Sequence, residues 1–128
     1  MRDTDTAWLA GLLEGEGSFD YHGGSPRLVL AMTDKDVVER AGLLIEGTPK
    51  AMAPAKSGWS PQWRVEISSI RAVRAMRAIL PYLGERRGVR VKDILSKWDA
   101  SPKGDRNRGT PLTDQAVLLV RHLWQRGV

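Results

Sequence analysis

Residues 8–17 read Trp8-Leu9-Ala10-Gly11-Leu12-Leu13-Glu14-Gly15-Glu16-Gly17. The stretch belongs to a helix predicted over Thr4–Glu14, with Asp5 or Thr4 as its cap and Gly15 and Gly17 ending it. Its residues divide into two strips. Ala7, Ala10, Gly11 and Gly15 are small, while Trp8, Leu9, Leu12 and Leu13 are bulky and lie roughly opposite. The bulky strip suits the domain's own core. A helix apolar or small all round is not an ordinary surface helix. Glycine within a helix costs about 1 kcal/mol against alanine, so Gly11 and Gly15 need a packing reason. Glycines four apart let a second helix backbone approach closely. A membrane span is excluded, because the apolar run is short and Glu14 and Glu16 close it.

If the partner is the same helix of a second copy, the contact is two-fold symmetric. Two Glu16 carboxylates then lie side by side at helix C-termini, where the dipole is already negative. They repel each other as bare ions. A hard divalent cation resolves the conflict, since Mg²⁺ takes one or two carboxylates together with waters and phosphate oxygens. Metal ions so placed clamp the attacking and leaving oxygens of phosphodiester cleavage. The helix therefore points to a metal-dependent nuclease with one Glu16 from each subunit.

Working outward, Ser18–His22 reads as a strand, Gly23-Gly24-Ser25-Pro26 as a turn and Arg27–Thr33 as the returning strand. Asp34–Glu46 repeats Val37, Val38, Ala41, Leu44 and Ile45 at helical spacing. Lys50–Lys56 is weakly strand-like. Gln62–Ser68 alternates, with Trp63, Val65 and Ile67 on one face and Gln62, Arg64 and Glu66 on the other. Helices are predicted over Ile70–Leu83, Arg86–Trp98 and Leu112–Arg126. The order αββαββα with antiparallel hairpins gives an α+β fold, not a doubly wound α/β one. One face of a four-stranded sheet is covered by the second and third helices, and the other stays wet. Residues 1–100 form the main domain, 101–111 a basic linker or loop, and 112–128 a C-terminal helix.

Leu9–Gly17 resembles the LAGLIDADG motif of homing endonucleases position by position: Leu, Ala, Gly, apolar, apolar, acid, Gly, acid, Gly. Trp8 before it and Ser18-Phe19 after it resemble the motif's flanks. The likeness extends weakly to about Trp98 through Thr33-Asp34-Lys35 and Leu80-Pro81-Tyr82-Leu83-Gly84-Glu85-Arg86-Arg87. It implies a saddle-shaped antiparallel sheet in the DNA major groove, with active sites beneath paired motif helices. The chain has one motif and no internal repeat, so the resemblance implies a homodimer on a long pseudo-palindromic double-stranded site. The interface would run through Ala7, Ala10, Gly11 and Gly15.

The resemblance implies Glu16 as the metal-binding acid, with the Gly15 carbonyl beside it and Mg²⁺ or Mn²⁺ as cofactor. It makes Glu14 structural. Asp34 would help place water or metal, although an N-cap of the second helix accounts for it equally. Arg86 would support charge in the transition state, a role that Arg87 could fill instead. Candidate DNA contacts are Asp20, His22, Arg27, Gln62, Arg64 and Glu66 on the wet face, Lys50 and Lys56 at its periphery, and Arg87. Arginine reads guanine and glutamine reads adenine in the major groove.

Composition agrees with a polyanionic partner. Twenty Lys/Arg stand against fifteen Asp/Glu in 128 residues, a net charge of +5. Residues 84–109 carry eight basic residues against four acids. There are no cysteines, which excludes disulfides and thiolate metal sites. No signal peptide or membrane span is read, so a cytoplasmic location is expected. A non-cleaving DNA-binding regulator and a maturase-like intron RNA-binding protein are the alternatives. Neither needs Glu16.

Overall fold

A computed structural model describes residues 1–54, 56 and 58–101. Helix α1 spans Asp3–Glu16, followed by strands β1 (Gly17–His22) and β2 (Ser25–Met32) and helix α2 (Lys35–Ile45). Strands β3 (Lys50–Met52) and β4 (Gln62–Ser68), helix α3 (Ser69–Ile79), a 3-10 turn at Leu80–Tyr82 and helix α4 (Glu85–Ala100) complete it. The strands form one sheet in the order β1-β2-β4-β3, every neighbour antiparallel. This is the α+β order expected. The linker and C-terminal helix expected over 101–128 lie outside the described residues beyond Ser101.

Several boundaries differ from the sequence expectation for physical reasons. Helix α1 runs through Gly15 and Glu16, and the extended Gly17 ends it while donating its N–H to the Leu13 carbonyl. Its N-cap position is Arg2, not Thr4 or Asp5. The first hairpin turns on Gly23 and Gly24 alone, both at positive φ (60° and 81°). Two such residues make a tight two-residue turn whose twist matches its strands. Ser25 and Pro26 are therefore strand, paired with His22 and Tyr21. Proline is tolerated there because β4 pairs with β2 only from Arg27 onward, so no β4 carbonyl awaits its missing N–H. Pro81 breaks the third helix, which passes into the 3-10 turn after Ile79. β3 has three residues instead of seven.

All four helices lie over the same face of the sheet, α1 and α4 as well as the expected α2 and α3. β1 and β2 contribute Phe19, Leu28 and Leu30, and β4 contributes Val65 and Ile67. Leu9 and Leu13 of α1, Val38 and Ile45 of α2, Val73, Met76 and Ile79 of α3 and Val91 and Ile94 of α4 close over them. Ala10 belongs to this core at 1% exposure. It was expected on the small-residue strip, but Thr6, Leu9, Ala10 and Leu13 recur at the i, i+3, i+4, i+7 spacing of one helix face, and that face turns inward.

Candidate active site and nucleic-acid interface

The small strip that remains on α1 is Ala7, Gly11 and Gly15, all exposed. A Cβ built on Gly11 or Gly15 meets nothing within 4 Å. Neither glycine is therefore required by packing among the described residues. Glu16 follows directly and is exposed at the helix end. The Gly15 carbonyl lies in the last turn, where helical carbonyls lack an i+4 partner.

The junction between α1 and β1 is held from α4. Arg87 donates from Nη1 to the Gly17 carbonyl at 2.6 Å. Its Nε lies 3.3 Å from Glu14 Oε2, an ion-pair distance without hydrogen-bond geometry, which leaves Nε buried and unsatisfied. Glu14 Oε1 accepts the Gly84 N–H at 2.5 Å just ahead of α4. One turn on, Arg90 Nε donates to the Phe19 carbonyl at 3.0 Å. β1 is an edge strand, and the two arginines take carbonyls of its backbone.

Arg87 is thus turned onto the protein, with its side chain 22% exposed. Arg86, in the same first turn of α4, is exposed and has no hydrogen bond or ion pair among the described residues.

Asp34 follows β2. Gly17, which follows Glu16, pairs with Leu30, and Asp34 follows the same end of β2, so Asp34 lies at the end of the sheet where α1 delivers Glu16. It occupies the N-cap position of α2 yet makes no side-chain capping bond, and it is exposed. Among the described residues, no group of three or more His, Cys, Asp or Glu is placed to hold a metal ion. Among the described residues, one chain offers Glu16 and the Gly15 carbonyl here, with Asp34 at the same end of the sheet. That fits a Mg²⁺-type ion only if a second carboxylate or phosphate oxygens complete the set.

The wet face has a readable register. Asp20, Arg27 and Ser68 form one row across β1, β2 and β4, and Ser18, Val29 and Glu66 the next. Ala31, Arg64 and Lys50 form a third, and Gln62 pairs with Met52 at the edge. His22 and Ser25 close the hairpin end. The structure thus brings Asp20, His22, Arg27, Lys50, Gln62, Arg64 and Glu66 onto one face. Lys56 lies in the β3–β4 connection with its ammonium 5.2 Å from the Trp59 ring centre.

Arg27 grips Asp20 with two hydrogen bonds, Nε to Oδ1 at 3.0 Å and Nη2 to Oδ2 at 2.6 Å. Those bonds hold the Asp20 carboxyl below its ordinary pKa against an opposing desolvation, with the charges of Arg27, His22 and Arg90 adding to the lowering. Arg64 holds Glu66 by one bond, Nη2 to Oε1 at 2.6 Å.

Val29, Ala31, Ser18 and Ser68 also lie on this face. The alternation of Leu28 and Leu30 inward carried the signal for Val29 and Ala31. Arg90 was not singled out either, although its i+3 spacing from Arg87 places both on one side of α4.

The chain can be superposed on solved homing endonucleases. The group I intron-encoded homing endonuclease I-CeuI, complexed with DNA, matches with a TM-score of 0.55 and 16% identity over 74% of this chain. I-CvuI in complex with its target in the presence of calcium matches with a TM-score of 0.56 and 16% identity, also over 74%. This chain has the homing-endonuclease fold.

A second I-CvuI structure, with an I-CreI target and magnesium and its DNA not cleaved, agrees at a TM-score of 0.53, 16% identity and 73% coverage of this chain. The chain spans 54% of the I-CeuI chain and 68% and 64% of the I-CvuI chains. No family model matches it, and no curated protein matches it significantly. Homing-endonuclease architecture therefore sets the frame in which Glu16 ends α1 and the wet face stands open. No helix of the described residues is long and apolar enough to cross a membrane.

Proposed function

We propose that the chain is a site-specific double-strand DNA endonuclease acting as a homodimer with Mg²⁺ or Mn²⁺. The observation that carries this reading is the exposed strip of Ala7, Gly11 and Gly15, at whose two glycines a Cβ would meet nothing within 4 Å among the described residues, and which ends on the exposed Glu16. Two copies meeting along that strip bring two Glu16 carboxylates together at one end of two sheets. The superposed I-CeuI and I-CvuI structures are complexed with DNA or a target, which supports a duplex as the partner, and the polar wet face is the side assigned to it in this reading.

In this reading Glu16 and the Gly15 carbonyl hold the cation, and its second carboxylate comes from the other copy. Bound there, a divalent ion supplies Lewis-acid stabilisation of the phosphate and lowers the pKa of a water. Asp34, free of a capping bond, is available to orient that water. Arg86, with no ion pair among the described residues, offers a guanidinium to the charge that develops on the phosphate. Arg87 and Glu14 act earlier in the chain of causes, by fixing the backbone on which Glu16 stands. Arg27, Arg64, Gln62 and Lys50 face the groove.

The test is a randomised duplex library incubated with the full chain, with Mg²⁺ or with EDTA. Double-strand breaks recurring at one sequence only with the metal are expected. Specific binding without breaks, in Mg²⁺ and in Mn²⁺, would leave a regulator. Preferential capture of structured RNA would leave a maturase-like protein.

A further inference from the structure

Arg27 is the one arginine of the wet face that is locked by two bonds. The fork made by Nε and Nη2 is spent on the two oxygens of Asp20, which lies directly opposite on β1. A guanidinium carries five N–H donors in a rigid plane. Three remain, and two of them form the end-on fork of Nη1 and Nη2, the edge farthest from the backbone. The side chain is 28% exposed, so the ion pair does not bury it. Arg64 differs, because Glu66 takes only one of its nitrogens and Nε is left buried without a hydrogen bond.

A planar fork held at a fixed angle above a sheet face suits two acceptors side by side in a plane. In the major groove that pattern belongs to guanine, through N7 and O6. Adenine offers an acceptor and a donor there. Asp20, with both oxygens occupied, retains lone pairs but no longer points a free carboxylate at a cytosine amine.

We infer that Asp20 and Arg27 act as a single reading unit, in which Arg27 selects guanine and Asp20 is its positioning residue. Pre-ordering the fork removes rotamer entropy that a free arginine loses on binding. The pair also carries no net charge. It contributes to sequence choice and little to the non-specific attraction that phosphates exert on bare cations. Asp20, in the Arg27 row, lies three residues along β1 from Gly17, about 10 Å at ~3.3 Å per residue, so the guanine is read away from the end of the sheet where Glu16 stands.

The inference rests on the double-strand DNA reading proposed above, and one experiment separates the two. The full chain in calcium selects bound duplexes from a randomised library, and R27K, D20N and D20E variants are then measured against single-base changes of the selected site. The wild type is expected to demand guanine at one position of each half-site, with about ten-fold preference over adenine. R27K and D20N should both flatten that position and no other. D20N should in addition bind unrelated duplex more tightly, having lost an acid, and D20E should recover part of the preference.

A selected site whose guanines are indifferent to both R27K and D20N would overturn the reading unit. So would a cytosine preference lost in D20N and kept in R27K, since Asp20 would then read the base itself. No selected duplex at all, with the wild type folded, would overturn the DNA reading along with it.

Discussion

Arg87 Nη1 lies 2.6 Å from the Gly17 carbonyl oxygen, so the residue that follows Glu16 is held from α4, 70 positions away in sequence. The same guanidinium stands 3.3 Å from Glu14, two residues before Glu16. The short segment that carries Glu16 is thus gripped on both sides by one arginine. In the active site proposed above Glu16 must be held closely, and the positioning would come from a side chain turned onto the protein itself.

Arg87→Ala should therefore destabilise the fold by about 1–3 kcal/mol, the range for losing charge-assisted hydrogen bonds that are partly buried. Urea unfolding measures this. Arg87→Lys should rescue little, because a single ammonium cannot bond the Gly17 carbonyl and stand beside Glu14 as the broad guanidinium does. Cleavage should fall further than DNA binding in both variants. Loss of binding with cleavage per bound complex unchanged would place Arg87 on the DNA.

Neighbouring positions of α1 should respond in opposite ways to the same side chain. Ala10→Leu overpacks the core and should cost about 1–3 kcal/mol. Gly11→Leu enters open space, so the monomer's fold should hold or gain slightly, since glycine is the poorer helix former. Its cost should fall on association. Analytical ultracentrifugation of the wild type at micromolar concentration should give a dimer, and Gly11→Leu a folded monomer. A dimer that survives Gly11→Leu would move the interface elsewhere.

Asp20 provides an acid-side test. Its folded pKa is lowered by the Arg27 hydrogen bonds, so the carboxylate's contribution is full above its unfolded value of about 3.9. The contribution is lost as pH falls through the lower folded value. Urea midpoints of wild type and D20N should differ at pH 7 and converge as the pH falls through the lowered folded value. The gap should be modest, because the pair is partly open to solvent. A gap that widens as pH falls would contradict the assigned direction.

The helix–strand order was legible because periodicity is a local property. Val65 and Ile67 alternate with Arg64 and Glu66, and Val38, Ala41 and Ile45 recur at helical spacing. The same alternation placed most of the wet face correctly. Glycine was harder to read. Gly15 suggested a helix stop although the helix continues through it, and Gly17 supplies the stop. Ala10 was grouped with its small neighbours because size says nothing of angular position, whereas the wheel drawn through Leu9 and Leu13 turns it inward.

Pairings between distant residues were beyond local reading. Arg87 was grouped with the exposed basic residues because nothing near it in sequence reveals the Gly17 carbonyl. Asp20 and Arg27 were seen singly for the same reason, although their places on a hairpin about Gly23-Gly24 set them opposite each other. Residues that recognise backbone atoms leave no partner in the sequence to find.

The most direct measurement is single-turnover cleavage of the selected duplex by Glu16→Gln in Mg²⁺, set beside its binding in calcium. Glutamine keeps the size and most of the polarity of glutamate and removes the charge that a metal ion needs. Binding within a few-fold of wild type is expected, with no cleavage above that of the metal-free control. Cleavage at the wild-type rate would contradict Glu16 as the metal-holding acid, and with it the active site proposed at the end of α1.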